Sequence, residues 1–240
     1  MGSALLKLLF QNRHLFHEVV PNSFFKKPHA ELSLSEELIS FLKKNPGLKL
    51  STKDAIDPYK CTQLVEKIHK EKGLVWSYGG YLENRSVALQ NSYLKKTKSW
   101  MHLGIDINLP IGTPVRSAFN GIVYMADSDY PEEGGWGNFV ILEHQIAGVK
   151  FYSIYGHLSK KCLVDADQTI SSGEIIGLVG NQEENGFWFP HTHFQFISEI
   201  EMHRRENPFT LDGYGSEKDL SYLKENYPDP LIALPMGQEE

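Results

Sequence analysis

The chain has 240 residues, of which 41% are hydrophobic and 22% are charged, with Gly 20 and Pro 12. These proportions are typical of a globular protein long enough to bury a core, so a disordered chain, a collagen-like chain and a small disulfide-stapled module are excluded. The formal net charge of −6 provides no basic field for a polyanion. We therefore expect neither nucleic acid nor an anionic membrane surface as a partner.

Residues 4–10 are apolar except for Lys7, and neither a basic leader nor a small-residue cleavage site flanks them, so they make a poor signal peptide. No window reaches the roughly 18 uninterrupted apolar residues of a membrane span. We expect a cytoplasmic protein, with export by another kind of signal left open, and the sequence leaves the oligomeric state unknown. Cys61 and Cys162 have no CxxC spacing and are expected to be free thiols, although the fold decides whether they pair.

Residues 1–75 are predicted to form a helical N-terminal region. Ser33 and Glu36 have the spacing of a capping box at the start of one helix. Its apolar residues and its stop are Leu38, Phe41 and Leu42, then Asn45-Pro46-Gly47. A second helix is predicted between Asp57-Pro58, which supply an N-cap and a first-turn proline, and Gly73. Its apolar residues at helical spacing are Cys61, Leu64, Val65 and Ile68.

From about residue 100 the hydrophobic period changes to two. The predicted strands are short β-branched and aromatic runs bounded by turn residues: 121–126, 139–144, 149–155, 174–179 and 193–197. No helical crossover lies between them, so antiparallel pairing is expected. The predicted fold is mainly β (α+β overall), an antiparallel β-sandwich or partly open barrel. In this division residues 76–99 are a connector, 100–205 the β domain and 206–240 a C-terminal extension.

Four of the 10 histidines lie in suggestive contexts in the β half: His102, His157, His191 and His193. A catalytic zinc ion needs three N or O ligands and one open position for water. His191 and His193 are two apart, so on a strand they share a face about 6.6 Å apart. One of them could bind the metal while the other faces a substrate.

His102 and Asp106 are four apart, a spacing that brings two ligands together on a helix. The intervening Gly104 and the nearby Pro110 argue against a helix here. On a straight strand the two residues would be about 13 Å apart, whereas the ligands of one zinc ion lie about 3 Å from each other. The segment must therefore bend, and Gly104 is the residue that permits the bend.

Three motifs, His-x-Gly-x-Asp, Tyr-Gly-His-Leu and Pro-His-x-His-Phe, occur in this order with strands between them. Together they resemble the lysostaphin/LytM-type zinc metallopeptidases, which cut peptide cross-bridges and stems of bacterial peptidoglycan, over residues 100 to about 198. The resemblance implies the lysostaphin-peptidase (duplicated hybrid motif) fold and one zinc ion per chain. It implies zinc ligands at His102, Asp106 and His193, with His157 and His191 as catalytic residues beside the open coordination position.

The sequence departs from the family pattern near the third motif. Residues 186–190, Gly-Phe-Trp-Phe-Pro, stand where the family has a Ser/Thr-Gly pair, and Gln195 stands where an acid is common. Gly79-Gly80-Tyr81-Leu82-Glu83-Asn84-Arg85 resembles a signal-less, intracellular subgroup of the family. All three implied zinc ligands are present, whereas these departures leave the substrate specificity of the cleft undecided.

The predicted function is that of a zinc-dependent metalloendopeptidase acting on peptidoglycan-type or other short Gly- or Ala-containing peptides. The alternatives are a catalytically silent binding or scaffolding module of the same fold, and a zinc amidohydrolase acting on a small intracellular metabolite.

Other residues have ordinary interpretations. Arg85 is expected to form a surface ion pair, and His144 is expected in the core. Trp136 is interpreted either as part of a mobile lip over the substrate or as an exposed turn residue. The aromatic run Phe187-Trp188-Phe189 is expected to pack against its neighbours rather than to line the cleft. The N-terminal helices are expected to brace the β domain rather than to cover the groove.

Overall fold

The computed structural model describes residues 4–44, 57–89, 92–129, 135–162, 164–204 and 211–235. The helices are α1 (Ala4–Gln11), α2 (Leu34–Lys44), α3 (Pro58–Lys72), α4 (Ser86–Leu89), α5 (Glu199–Arg204) and α6 (Leu220–Asn226). The first six strands are β1 (His29–Glu31), β2 (Trp76–Gly79), β3 (Met101–His102), β4 (Ile105–Asn108), β5 (Pro114–Arg116) and β6 (Gly121–Asp129). The other six are β7 (Gly137–Ile146), β8 (Val149–Leu158), β9 (Thr169–Ile170), β10 (Ile175–Leu178), β11 (Thr192–Ser198) and β12 (Tyr214–Gly215).

An eight-stranded sheet in the order β1-β2-β4-β11-β8-β7-β6-β9 dominates the fold, and β10-β5 and β12-β3 form two small sheets. The outermost pair β1-β2 is parallel, and every other neighbouring pair of the large sheet is antiparallel. Its end strands β1 and β9 do not pair, so the described strands form no closed barrel. The predicted mainly β, antiparallel fold is confirmed, and the five predicted strands correspond to β6, β7, β8, β10 and β11.

Alternation along the central strands gives the sheet two buried faces. On β8, Phe151 and Tyr155 belong to one hydrophobic cluster, whereas Tyr152 and Ile154 belong to another. The first cluster includes Leu5 and Leu9 of α1. Helix α1 therefore packs on one face of the sheet, as expected for a bracing element, and the second face is left for the site described below.

Helices α2 and α3 begin at the predicted caps. The Glu36 N–H donates to Ser33 Oγ (3.2 Å), and the Asp57 side chain accepts from two backbone N–H groups at the start of α3. Gly73 ends α3 with φ +66°, the left-handed conformation that glycine adopts without strain. The predicted stop at residues 45–47 lies outside the described residues, as do the side chains of Leu38 and Leu42.

Residues 76–99, expected as a connector, contribute a strand to the large sheet. Strand β2 lies between β1 and β4, with Gly79 opposite Asp106. Its four residues, Trp-Ser-Tyr-Gly, are too few to give a readable alternation. The domain boundaries stay a prediction, but residues 76–79 of this segment form a strand that pairs with β4, the strand that carries Asp106.

Cys61 is buried and unbridged, and the side chain of Cys162 lies outside the described residues. In the part of the chain that is described, no helix combines the length and the hydropathy needed to cross a bilayer.

Candidate metal centre

Three predicted ligands meet at adjacent strands. In the antiparallel pair β11-β4, His193 lies directly opposite Asp106. His102 ends β3, and the chain bends at Leu103-Gly104 before β4 begins. A Cβ atom on Gly104 would lie 2.5 Å from His193 Nε2 and 2.5 Å from the Phe194 carbonyl oxygen. The predicted bend is present, and glycine is required there because β11 approaches so closely.

The ligand atoms form a nearly equilateral triangle. His102 Nε2 is 3.2 Å from Asp106 Oδ1 and 3.1 Å from His193 Nδ1, and His193 Nδ1 is 3.0 Å from Asp106 Oδ1. Zinc bonds of about 2.0–2.1 Å place tetrahedral ligands roughly 3.3 Å apart. One imidazole pair and one carboxylate at these separations fit a single zinc ion, with one coordination position left open.

The second polar atom of each ligand has its own partner. The His102 Nδ1–H donates to the Gly80 carbonyl (3.1 Å), and the His193 Nε2–H donates to Gln195 Oε1 (2.9 Å). Asp106 Oδ2 accepts from Arg85 Nη1. Such partners set the tautomer and orientation of metal ligands. Each ligand is thereby left with one lone pair that faces the common point.

His157 and His191 lie beside this point with their rings 4.4 Å apart. The His157 Nδ1–H donates to the Asn185 carbonyl (2.8 Å), and the His191 Nδ1–H donates to the Phe189 carbonyl (2.7 Å). Both Nε2 atoms therefore remain free to accept a proton. His191 Nε2 is 3.6 Å from Asp106 Oδ1, so it borders the place where a metal-bound substrate would lie.

A bulge in β8 brings His157 to this face of the sheet. Regular alternation would place His157 on the same face as Tyr155, which lies in the cluster under α1. The register between β7 and β8 shifts between Asn138 and Val140, and His157 has φ +64°. A bulge of this kind re-aims a side chain, and here it turns the imidazole toward His193.

Burial and charge set the protonation states. Burial lowers the pKa of His157 well below its ordinary value and also lowers the pKa of His191. Burial, followed by the Arg85 charge, lowers the pKa of His102 to about 4. Burial alone would raise the pKa of Asp106, but His102 and Arg85 hold it well below its ordinary value. Neutral imidazoles and an ionised carboxylate are the forms that bind zinc.

The site is covered in this conformation, because His157 is 7% and His191 3% exposed. The Trp136 ring stacks 6.2 Å from the His157 ring, and its Nε1–H donates to the Leu211 carbonyl (3.0 Å). A few residues after Leu211, strand β12 pairs with β3, and this pairing places Tyr214 opposite His102. Trp136 is thus buried against the site, and it is not an exposed turn residue.

The aromatic run before His191 has mixed roles. Phe189 stacks on the His191 ring at 4.4 Å and the Trp188 ring lies 6.1 Å from that of His157, while Phe187 is 55% exposed. The packing expected from the sequence holds for Phe189. His144, expected in the core, is buried and bonded to Ser153 Oγ (2.7 Å).

The structure adds Gly80, Arg85 and Tyr214 to the site, none of them in the predicted β domain. The expected surface ion pair of Arg85 is wrong, because this residue is 2% exposed and bonded to Asp106. Its neighbours Glu83 and Asn84 give the segment the composition of a solvated loop. The resemblance of residues 79–85 to a subgroup of the family was the signal that could have located it.

The structure thus brings together a His-Asp-His triangle on an antiparallel sheet, flanked by two imidazoles with free Nε2 atoms, which is the arrangement predicted for a metallopeptidase centre. Residues 100–208 match the family described as Peptidase family M23. This match supports, for that part of the chain, the lysostaphin/LytM type predicted from the motifs.

Two curated relatives illustrate the match. Over 96 residues the chain is 38% identical to "Peptidoglycan DD-endopeptidase ShyA" of Vibrio cholerae serotype O1, covering 40% of this chain and 20% of the relative. Over 95 residues it is 35% identical to "DD-carboxypeptidase/endopeptidase Mpg" of Neisseria meningitidis serogroup B, covering 40% and 20%. The match therefore spans about a fifth of the length of each relative.

Among solved structures, the catalytic domain of the antimicrobial peptidase lysostaphin from Staphylococcus simulans is 29% identical. The alignment covers 52% of this chain and 80% of that chain, with a TM-score of 0.35.

Proposed function

We propose that the protein is a zinc-dependent metalloendopeptidase that hydrolyses peptide bonds in peptidoglycan-type or other short Gly- or Ala-containing peptides. The observation that carries the proposal is the triangle of His102, Asp106 and His193 ligand atoms, 3.0–3.2 Å apart, beside two unligated imidazoles. The names of the two curated relatives support the peptidoglycan-type substrate.

His102 Nε2, Asp106 Oδ1 and His193 Nδ1 would hold the zinc ion. When bound, zinc supplies Lewis-acid chemistry, activating water and polarising the scissile carbonyl. The free Nε2 atoms of His157 and His191 would take up the proton that the attacking water loses and return it to the leaving amine. A protonated imidazole at either position would also donate a hydrogen bond to the developing oxyanion. Trp136 excludes bulk water from the His157 side.

A second candidate is hydrolysis of an amide bond in a small soluble metabolite. The low exposure of His157 (7%) and His191 (3%) favours this candidate. A cross-linked polymer reaches these rings only when the cover formed by Trp136 and residues 211–215 moves away, whereas a small molecule requires a smaller opening.

The test is parallel digestion of purified sacculi, soluble muropeptides and oligoglycine by the full chain, with product masses as the readout. We expect new peptide termini, loss of cleavage with a chelator and recovery with zinc. Metabolite profiling after gene deletion separates the small-amide candidate, since peptides would not then accumulate.

Variants at the two free histidines complete the design. His157→Ala and His191→Ala should lose turnover and keep bound zinc, and the exposed His203 offers a matched control, His203→Ala, that keeps both. Absence of zinc both after gentle purification and after zinc addition would refute the proposal. A zinc-loaded protein that cleaves none of the substrates would be the silent binding module.

A further inference from the structure

Arg85 makes a buried clamp behind the metal-ligand carboxylate. Its Nη1 donates to Asp106 Oδ2 and to Tyr214 Oη (3.2 Å), and its Nε donates to Glu83 Oε2 (3.0 Å). The side chains of Arg85 and Asp106 are 3% and 5% exposed, and that of Glu83 is 8% exposed. The buried guanidinium is thus held by three partners, through Nη1 and Nε.

Two carboxylates balance the buried guanidinium charge. Burial lowers the pKa of Arg85, but the charges of Asp106 and Glu83 raise it well above its ordinary value. A guanidinium is always ionised and presents its N–H donors in a rigid plane. It can therefore hold one carboxylate oxygen in a fixed direction without exchanging protons with the site.

The clamp gives the two oxygens of Asp106 different partners. Oδ2 is engaged by Arg85, while Oδ1 lies 3.2 Å from His102 Nε2 and 3.0 Å from His193 Nδ1. A carboxylate can bind a metal through one oxygen or through both, and binding through both would fill a further coordination position. A catalytic zinc site needs that position open.

We propose that Arg85 is a positioning residue that restricts Asp106 to one-oxygen ligation and so keeps the fourth coordination position open, with Glu83 and Tyr214 holding Arg85 in place. This inference rests on the zinc site of the proposed function. Glu83 and Arg85 precede the family match at residues 100–208 and Tyr214 follows it, so the segments on both sides of the domain meet to form the clamp.

The test uses the cobalt-loaded full chain, because the visible absorption of Co²⁺ is strong for four ligands and weak for five or six. We expect a strong, four-coordinate spectrum for the unmodified protein. Arg85→Lys and Arg85→Met should retain one bound Co²⁺, lose at least about half of the molar absorbance and bind zinc about 10-fold more weakly. Tyr214→Phe, which keeps the ring, should shift both readouts in the same direction by less.

Arg116→Met is the matched control, because Arg116 donates to the Gly173 carbonyl (2.7 Å) and is remote from the ligands. It should keep the spectrum and zinc affinity of the unmodified protein. If Arg85→Met does not fold, Arg85→Lys and Tyr214→Phe still decide the matter.

A five-coordinate spectrum of the unmodified protein, or unchanged spectra and zinc affinities in Arg85→Lys and Tyr214→Phe, would overturn the inference. The readout needs no substrate, so a protein that binds metal without cleaving peptides refutes the proposed function while the spectra still decide the role of Arg85.

Discussion

Replacing Gly104 with alanine tests whether the close approach of β11 to the β3-β4 bend shapes the metal centre. The added Cβ would lie 2.5 Å from the Phe194 carbonyl oxygen and 2.5 Å from His193 Nε2. Carbon and oxygen atoms ordinarily approach to about 3.3 Å, so one side of the contact must move by about 0.8 Å. Overpacking of this kind costs about 1–3 kcal/mol of folding free energy.

The same displacement should weaken metal binding, because ligand groups must stay within about 0.5 Å of their productive positions. His193 Nε2 is directly in the path of the new methyl group, and the other ring nitrogen, Nδ1, is the proposed ligand atom. We expect Gly104→Ala to lose about 1–3 kcal/mol in urea unfolding with a chelator present, and to bind zinc about 10-fold more weakly in competition with a chelating dye.

Gly148→Ala is the matched control, since a Cβ there would meet nothing within 4 Å and the strain comes only from φ +81° in the β7-β8 turn. It should lose about 1 kcal/mol through backbone strain and leave zinc affinity unchanged. If Gly104→Ala binds zinc like the unmodified protein and is no less stable than Gly148→Ala, steric contact with β11 does not shape the site.

Three further predictions concern protonation, backbone strain and metal. Burial lowers the pKa of His144 to about 4, so between this value and pH 6.5 the folded imidazole stays neutral while the unfolded one gains a proton. From pH 7.5 to pH 4 the unmodified protein should therefore lose about 3 kcal/mol more stability than His144→Gln. A stability difference in urea unfolding that does not change with pH would contradict this. Because His157 has φ +64°, His157→Gly should be more stable than His157→Ala by about 1 kcal/mol, and equal unfolding midpoints would show that the strain is absent. Zinc at 100 times its dissociation constant should stabilise the chain by about 2.7 kcal/mol, so a chelator should lower the thermal midpoint of the unmodified protein but not of His102→Ala; an identical shift in both would place the metal elsewhere.

The sequence predicted the elements whose signals are local. Helix α3 has its cap, its apolar spacing and its terminal glycine within one continuous segment. Strands β7 and β8 are ten residues each, mostly buried, and are joined by a two-residue turn. The ligand set was predicted for a different reason: three motifs in a fixed order resemble a known family, and the geometry at His102, Asp106 and His193 is consistent with that resemblance.

The parts of the site that the sequence did not predict depend on contacts between distant segments. Gly80 is hydrogen-bonded to His102, 22 residues further along the chain, and Arg85 to Asp106, 21 residues further along. Tyr214 is hydrogen-bonded to Arg85 although the two residues are 129 positions apart in the sequence. No periodicity or short motif encodes such pairs, and a charged loop composition gives no sign that an arginine will be buried.

The direction of the His157 ring shows the same dependence on distant backbone. The His157 N–H donates to the Trp136 carbonyl (2.8 Å), and its carbonyl accepts from the Gly180 N–H (3.0 Å). The Asn185 carbonyl holds Nδ1 at 2.8 Å. Left-handed backbone at a non-glycine residue costs about 1 kcal/mol or more, so these three bonds stabilise a conformation that His157 would not adopt alone. The bonds come from two separate segments, one before β7 and one between β10 and β11. The proposed proton-transfer residue can therefore be read from Tyr-Gly-His-Leu, whereas the direction of its free Nε2 is determined only by the folded chain.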